Sequence, residues 1–480
     1  MPCTPCFTIS HKNNMKHLRA IRIVAATVFL LGITALFLIP GDATAHWLGW
    51  MAKLQLLPAV LAANVVVVVF ILLVTYLLGR VYCSVVCPLG ILQDLFYKLG
   101  HIGKRRKEGR MKYGKPHNWL RYTVLALFVA SLAAGFNSVA LLIAPYSAYG
   151  RIVATAADLH TAGTATAIVA GATLLAVAIL SLLCGRLWCN SVCPVGSALS
   201  LLSRHSLVQP RFDAEKCIGC GKCERMCKAM CIDVASKSVD TSRCVACMDC
   251  VSLCPTGALT LRTKGGKAAT ATERPDSGDG TSRRQFLAAT AAVAVAATIK
   301  AQEHKIDGGL AAIQKKAVPK RTTPLKPYGA VSLRHFEKHC TACQLCVSHC
   351  PNGVLRPSAE LQSLMQPEMS YEKGYCRPEC VACSEVCPTG AIKRITPEEK
   401  STISIGHAVV LRDNCLAALG EAACGNCARH CPAEAITMQQ QGPVVDESRC
   451  IGCGACEYLC PVRPFSAIYV EGRELHVRNL

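Results

Sequence analysis

Twenty-four of the chain's 32 cysteines fall into six short runs, and this constrains the fold more than any other feature. Four runs have the spacing Cys-x2-Cys-x2-Cys-x3-Cys: Cys217/Cys220/Cys223/Cys227, Cys244/Cys247/Cys250/Cys254, Cys340/Cys343/Cys346/Cys350 and Cys450/Cys453/Cys456/Cys460. Two are stretched at one end, Cys376/Cys380/Cys383/Cys387 and Cys415/Cys424/Cys427/Cys431. In this spacing three close thiolates wrap one iron–sulfur cubane and the fourth reaches a neighbouring one. Soft thiolates also suit zinc, but structural zinc sites separate their two cysteine pairs by a longer insert. Disulfide scaffolds belong to short secreted chains and do not repeat one spacing six times. The runs predict about six [4Fe–4S] clusters and a protein that moves electrons.

A chain of 480 residues is long enough for about three domains. Its 51% hydrophobic content is concentrated in the first 200 residues. Four apolar stretches there approach the length of a bilayer crossing, roughly 20–39, 56–78, 120–145 and 165–183. Basic residues flank them unevenly. Lys12, Lys16, Arg19 and Arg22 precede the first. A dense set from Arg80 to Arg121 separates the second from the third, and Arg186, Arg204 and Arg211 follow the fourth. The two remaining loops carry one basic residue each, Lys53 and Arg151. The positive-inside rule puts the amino terminus, the central loop and everything after the fourth stretch in the cytoplasm. Much of the net charge of +21 is then topological, and no separate basic domain points to nucleic acid. None of the four stretches contains a histidine to hold haem, and there is no dinucleotide-binding glycine motif.

The expected fold is an α-helical membrane domain with four spans and room for a fifth, plus two α+β iron–sulfur modules. Its parts are residues 1–205 (membrane), 210–262 (two cysteine runs), 263–284 (a linker rich in Gly, Ala, Thr and Asp) and 328–480 (four runs). Between linker and last module, residues 281–300 hold Thr281-Ser-Arg-Arg-Gln-Phe-Leu287 and an alanine-rich run. The pair Arg283–Arg284 ahead of an apolar stretch reads as a twin-arginine export signal. Such a route carries folded domains, as a cluster-loaded module requires. A short soluble helix is the competing reading of 286–299. The expected location is a bacterial inner membrane, with module 210–262 in the cytoplasm and module 328–480 in the periplasm.

Within the first module, Cys217, Cys220 and Cys223 should share a cluster with Cys254, and Cys244, Cys247 and Cys250 with Cys227. Lys228 replaces the proline expected after Cys227, and Cys231 is left over as a small buried residue. In the second module one pattern has the outer runs exchange fourth cysteines with each other and the inner runs likewise; sequential exchange is the alternative. The membrane part adds a rarer element in two near copies: Gly79-Arg80-Val81-Tyr82-Cys83-x3-Cys87-Pro88 and Gly185-Arg186-Leu187-Trp188-Cys189-x3-Cys193-Pro194. Both fall on one membrane face, so Cys83, Cys87, Cys189 and Cys193 can converge on a further metal or cluster site, with Cys184 as an extra participant. Two structural or transiently oxidised dithiol pairs are the alternative.

The repeated Cys-x3-Cys-Pro element, four spans and a following dicluster module resemble the NapH-type membrane quinol dehydrogenases. Cys415 with its eight-residue insert to Cys424, the stretched Cys376/Cys380 pair, the closing Cys450–Cys460 run and the twin arginine resemble the exported NapG-type polyferredoxins and their methylamine-utilisation counterparts. The resemblance implies quinol oxidation at the membrane and delivery of electrons to a periplasmic reductase or cytochrome, with the quinone pool as diffusible partner. This chain departs from the pattern by joining both partners in one polypeptide. Residues near span ends, such as Asp42, His46 and Trp47, are candidates for a quinone site or for interfacial anchors. Two other functions stay open: an accessory protein that senses redox state or supplies electrons for cofactor maturation, and reverse flow from a periplasmic dehydrogenase to quinone. No catalytic residue and no terminal substrate site is legible.

Overall fold

The computed structural model describes residues 12–100, 113–114, 116–134, 141–158, 164–263, 306–307, 311–312, 316–360 and 362–479. The expected linker, apart from its first residue, and the twin-arginine segment lie outside these. The amino-terminal part is helical: α1 (Lys12–Leu38), α2 (Asp42–Lys53), α3 (Leu56–Leu61), α4 (Val65–Leu78), α5 (Tyr82–Val85), α6 (Pro88–Gly100), α7 (Asn118–Ala134), α8 (Pro145–Ala157), α9 (Thr164–Cys184), α10 (Leu187–Ser191) and α11 (Pro194–Ser203).

Among the described residues, two helices are long and apolar enough to cross a membrane, His17–Leu38 within α1 and α9. The expected span at 56–78 is not one helix. It breaks at Ala62–Asn64, where Ala63 takes φ +52° and Asn64 caps α4 by accepting from the Val67 amide at 3.3 Å. A side-chain acceptor in front of β-branched valines favours a new helix start over continuation. That leaves α4 with 14 residues; α7, also apolar, has 17 among the described residues. Around the bundle Leu31, Val66, Leu127 and Ile168 are more than half exposed.

Each iron–sulfur module consists of cysteine loops and one-turn helices braced by two-stranded antiparallel sheets. In the first, β1 (Val208–Phe212) pairs with β2 (Leu259–Thr263). In the second, β3 (Ile403–Val410) pairs with β4 (Ile468–Arg478) across an irregularity between Gly472 and Val477. With so few apolar side chains per loop, the thiols themselves join the core. Cys340, Cys343, Cys346, Cys450, Cys456 and Cys460 are all at most 8% exposed and belong to the same buried cluster as Phe336, Ile405 and Ile468.

The modules dock at opposite ends of α1. Near its start, Arg19 pairs with Asp249 of the first module at 2.7 Å. Near its end, Phe37 packs on Tyr146 with ring centroids 6.2 Å apart. Beside it, Gly150 of α8 lies so close to the second module that a Cβ would come within 2.5 Å of the Cys343 carbonyl oxygen. Ser147 donates to the Thr341 carbonyl at 2.6 Å across the same contact. Eighteen residues of helix separate Arg19 from Phe37, about 27 Å at the α-helical rise, close to the roughly 30 Å of a bilayer's hydrocarbon core.

Candidate functional site

The cysteines assemble in sets of four, as the loops dictate. In the first module Cys217, Cys220, Cys223 and Cys254 line one cavity. Cys227, Cys244, Cys247 and Cys250 surround another. In the second module Cys340, Cys343 and Cys346 face Cys387, and Cys376, Cys380 and Cys383 face Cys350. Cys415, Cys424 and Cys427 share a cavity with Cys460, while Cys450, Cys453 and Cys456 face Cys431. Exchange is therefore sequential, first run with second and third with fourth, and the outer-with-outer scheme does not hold. Among the described residues, no group of three thiols, imidazoles or carboxylates closes to the distances of a single metal ion.

Cys231 is not a detached core residue. Its sulfur is 3.5 Å from that of Cys227 and adjoins Cys244, so the second site of the first module holds five thiols. Lys228, which stands where proline was expected, is buried as well. It is 3% exposed and pairs with Asp94 of α6 at 2.7 Å and with Asp249 at 3.4 Å. The residue in place of proline thus pins the first module to the helical domain.

The two Cys-x3-Cys-Pro elements come together with approximate twofold symmetry. Cys83, Cys87, Cys189 and Cys193 are 3–4% exposed, and Cys87 and Cys193 each lie within electrostatic reach of Cys83 and Cys189. The half-buried Cys184 closes α9 outside this group. The arginine of each copy crosses to the other. Arg80 donates to the Cys189 carbonyl at 3.1 Å, and Arg186 to the Cys83 carbonyl at 2.7 Å. Each copy's glycine allows that crossing, since a Cβ on Gly90 would stand 2.4 Å from the Cys83 oxygen and one on Gly196 2.3 Å from that of Cys189. The Gly196 amide donates to the Cys193 sulfur at 3.3 Å.

Charges that the sequence assigned to solvated loops are here inside. Arg80, Arg151 and Arg186 are fully buried and Arg121 is 1% exposed. Arg186 meets Asp94 at 2.7 Å. Burial alone would raise the Asp94 carboxyl, but Arg186 and Lys228 more than reverse it and hold the group well below the usual carboxylate range. Arg80 has a different set of partners: Asn190 Oδ1, the carbonyls of Ser242 and Cys189, and the Cys83 sulfur at 3.9 Å. The doubled Gly-Arg before each cysteine pair was the available sequence signal, because a loop charge has no reason to repeat in register with thiols. In the second module Lys400 was likewise invisible beforehand. It is 1% exposed, with Nζ 3.2 Å from the Cys376 sulfur and donating to the carbonyls of Arg377 and Cys380.

Comparison with known proteins gives this arrangement its class, a [4Fe–4S] ferredoxin-type protein. Profiles described as "4Fe-4S binding domain" match residues 60–107 and 166–213, the two halves of the helical repeat, and again 210–233 and 237–260; a "4Fe-4S dicluster domain" matches 422–463. The ferredoxin-type protein MauM of methylamine utilisation from Methylobacillus flagellatus is 33% identical over 181 residues, 35% of this chain and 76% of that protein. The ferredoxin-type protein NapG of Escherichia coli is 32% identical over 177 residues, 32% of this chain and 75% of its own length. The putative electron transport protein YccM of Escherichia coli is 32% identical over 175 residues, 36% of this chain and 47% of that protein. No solved structure matches. The chain belongs to the MauM/NapG family of ferredoxin-type iron–sulfur electron-transfer proteins, and it carries several [4Fe–4S] clusters.

Proposed function

We propose that this protein is a membrane-bound electron carrier that oxidises quinol and passes the electrons through six [4Fe–4S] clusters to a periplasmic reductase or cytochrome. The observation that carries the reading is the sorting of all 24 run cysteines into six four-thiol sets. Each set joins three cysteines of one run to the fourth of another, which is the ligand pattern of paired cubanes. Membrane attachment is supported by the exposed apolar belt around α1, α4, α7 and α9 and by the two helices of spanning length. Opposite compartments for the two modules are supported by their docking a bilayer's thickness apart along α1. The joined partners of the NapH and NapG kinds supply the quinol step and the periplasmic delivery. Trp47 and Trp50 of α2, 74% and 51% exposed, suit an interfacial belt beside the second module.

Two measurements test the reading. Purified protein should oxidise menaquinol when given a dye acceptor; no turnover with intact clusters would favour the accessory role, and dye-driven quinone reduction the reverse flow. A reporter active only in the periplasm, fused after residue 330, should give signal. Silence from an intact fusion would remove the export of the second module.

A further inference from the structure

The cavities walled by cysteines are the cluster sites. A different cavity, of about 400 Å³, has no thiol in its wall and lies where the first module meets the helical domain. The start of α7 supplies Asn118 and Arg121 to it, with His117 just before them. Asn190 of α10 forms another part of the wall, and the first module contributes Met230 and Arg243.

Two buried arginines therefore share one cavity. Arg121 is 1% exposed and Arg243 5%. Arg121 donates to the Ser242 carbonyl at 3.0 Å and to the Gly196 carbonyl at 3.5 Å, and no carboxylate bonds to it among the described residues. Arg243 pairs with Asp240 at 2.6 Å and donates to the Gly114 carbonyl at 2.7 Å. Asp240 is thereby taken, while Arg80 and Arg204 add positive charge around Arg121. Each cavity arginine also keeps a buried nitrogen without a partner among the described residues, Nε of Arg121 and Nη2 of Arg243. A buried cation short of counter-charge and acceptors is costly. An anion with several oxygens in the cavity answers both needs. The start of α7 adds to this, because the first N–H groups of a helix lack partners within it and favour negative charge.

The surroundings select the kind of anion. Trp119, at the head of α7, is 79% exposed, and Leu127 and Val129 further along are 65% and 55% exposed. An exposed tryptophan at the head of an apolar helix marks a membrane interface, so a phosphate held here has a path for acyl chains along α7. Basic pockets beside membrane helices on the cytoplasmic side take anionic headgroups. A zwitterionic headgroup would bring its own cation into an already positive cavity. We propose that this cavity binds the phosphate of an anionic phospholipid, which ties the first module to the helical domain because Arg121 and Arg243 come one from each. The inference rests on the membrane attachment proposed above and is independent of quinol oxidation.

The test uses the full chain, purified with its clusters without oxygen and freed of native lipid in a non-ionic detergent. Dioleoyl phosphatidylglycerol, dioleoyl phosphatidylcholine and inorganic phosphate are titrated separately, and bound ligand is counted by native mass spectrometry. Phosphatidylglycerol should bind about tenfold more tightly than phosphatidylcholine and raise the thermal midpoint. Equal affinity for the two lipids would overturn the proposal. Inorganic phosphate binding as tightly as phosphatidylglycerol would assign the cavity to a soluble phosphate and overturn the lipid. His117→Glu sets a carboxylate at the cavity from an exposed position, and Arg243→Gln removes a donor. Each should weaken phosphatidylglycerol binding by about tenfold or more with native iron content, which shows that the variant has folded. Lys98→Gln, an exposed cation in the last turn of α6 and outside the cavity, should leave binding unchanged. Native binding by His117→Glu, or an equal loss in Lys98→Gln, would overturn the site. Attachment is read separately, from retention of the chain in membranes washed with alkaline carbonate. A retained chain that does not select phosphatidylglycerol refutes the site alone, and a chain washed off refutes the attachment and the lipid with it.

Discussion

Two buried charged residues illustrate how much single side chains decide here. Asp94 sits between Arg186 and Lys228, so Asp94→Asn leaves two buried cations short of their counter-charge. Removing one partner of a buried ion pair costs about 3–5 kcal/mol, and the expected result is release or loosening of the first module, read as a drop in thermal midpoint. Because its folded pKa lies below the unfolded value, the carboxylate's contribution is full at neutral pH and is lost only as pH falls below about 4. Lys400 places a cation against the Cys376 sulfur, which favours the more negative, reduced cluster. Lys400→Met should therefore lower the midpoint potential of the Cys350/Cys376/Cys380/Cys383 cluster, by about 59 mV for each 1.4 kcal/mol of lost interaction. A redox titration followed by electron paramagnetic resonance would check it, and a rise in potential would contradict the assignment.

At the scale of elements, strand β4 shows how one face of a small sheet can carry a pH dependence. His476 lies in that strand, its backbone amide donating to the Val331 carbonyl at 2.9 Å. Burial pushes its imidazole down to about 4. The unfolded chain then binds the proton more readily, so the histidine's contribution is complete above about 6.5 and is lost as pH falls from there toward 4. Stability of the second module to urea should fall across that window, and His476→Phe should flatten the slope. The broken helix α3–α4 carries a different lesson. Hydropathy saw a single apolar stretch at 56–78, but hydropathy is blind to Asn64, whose short polar side chain starts a new helix in the middle of it.

For the whole molecule, the iron–sulfur sets act as core. Seven buried thiols of the second module pack with Phe336, Ile405 and Ile468 in a cluster that continues through Tyr146 and Phe37 into the helical domain. Stripping iron with a chelator after oxidative bleaching should therefore unfold the second module, because the unfolded chain holds no preformed site and the binding energy of the metal is then folding energy. Limited proteolysis would show new cuts between residues 328 and 480, and unchanged resistance would mean that the apolar contacts alone suffice.

The iron–sulfur, ferredoxin-type class of the chain was legible in the sequence because cysteine spacing is set by local chemistry: a cubane demands close thiolates on a short loop, whatever the rest of the chain does. The pairing inside the first module followed from the same spacing. The order of exchange in the second, the fifth thiol at Cys231, and the burial of Arg80, Arg121, Arg186 and Lys228 required the tertiary structure. A charge near an apolar stretch looks identical on paper whether it faces water or a ring of thiols; only the packing of two helical halves around one point separates the two. The repeated element suggested that Cys83, Cys87, Cys189 and Cys193 could converge, but only the long-range packing of the two helical halves brings them together.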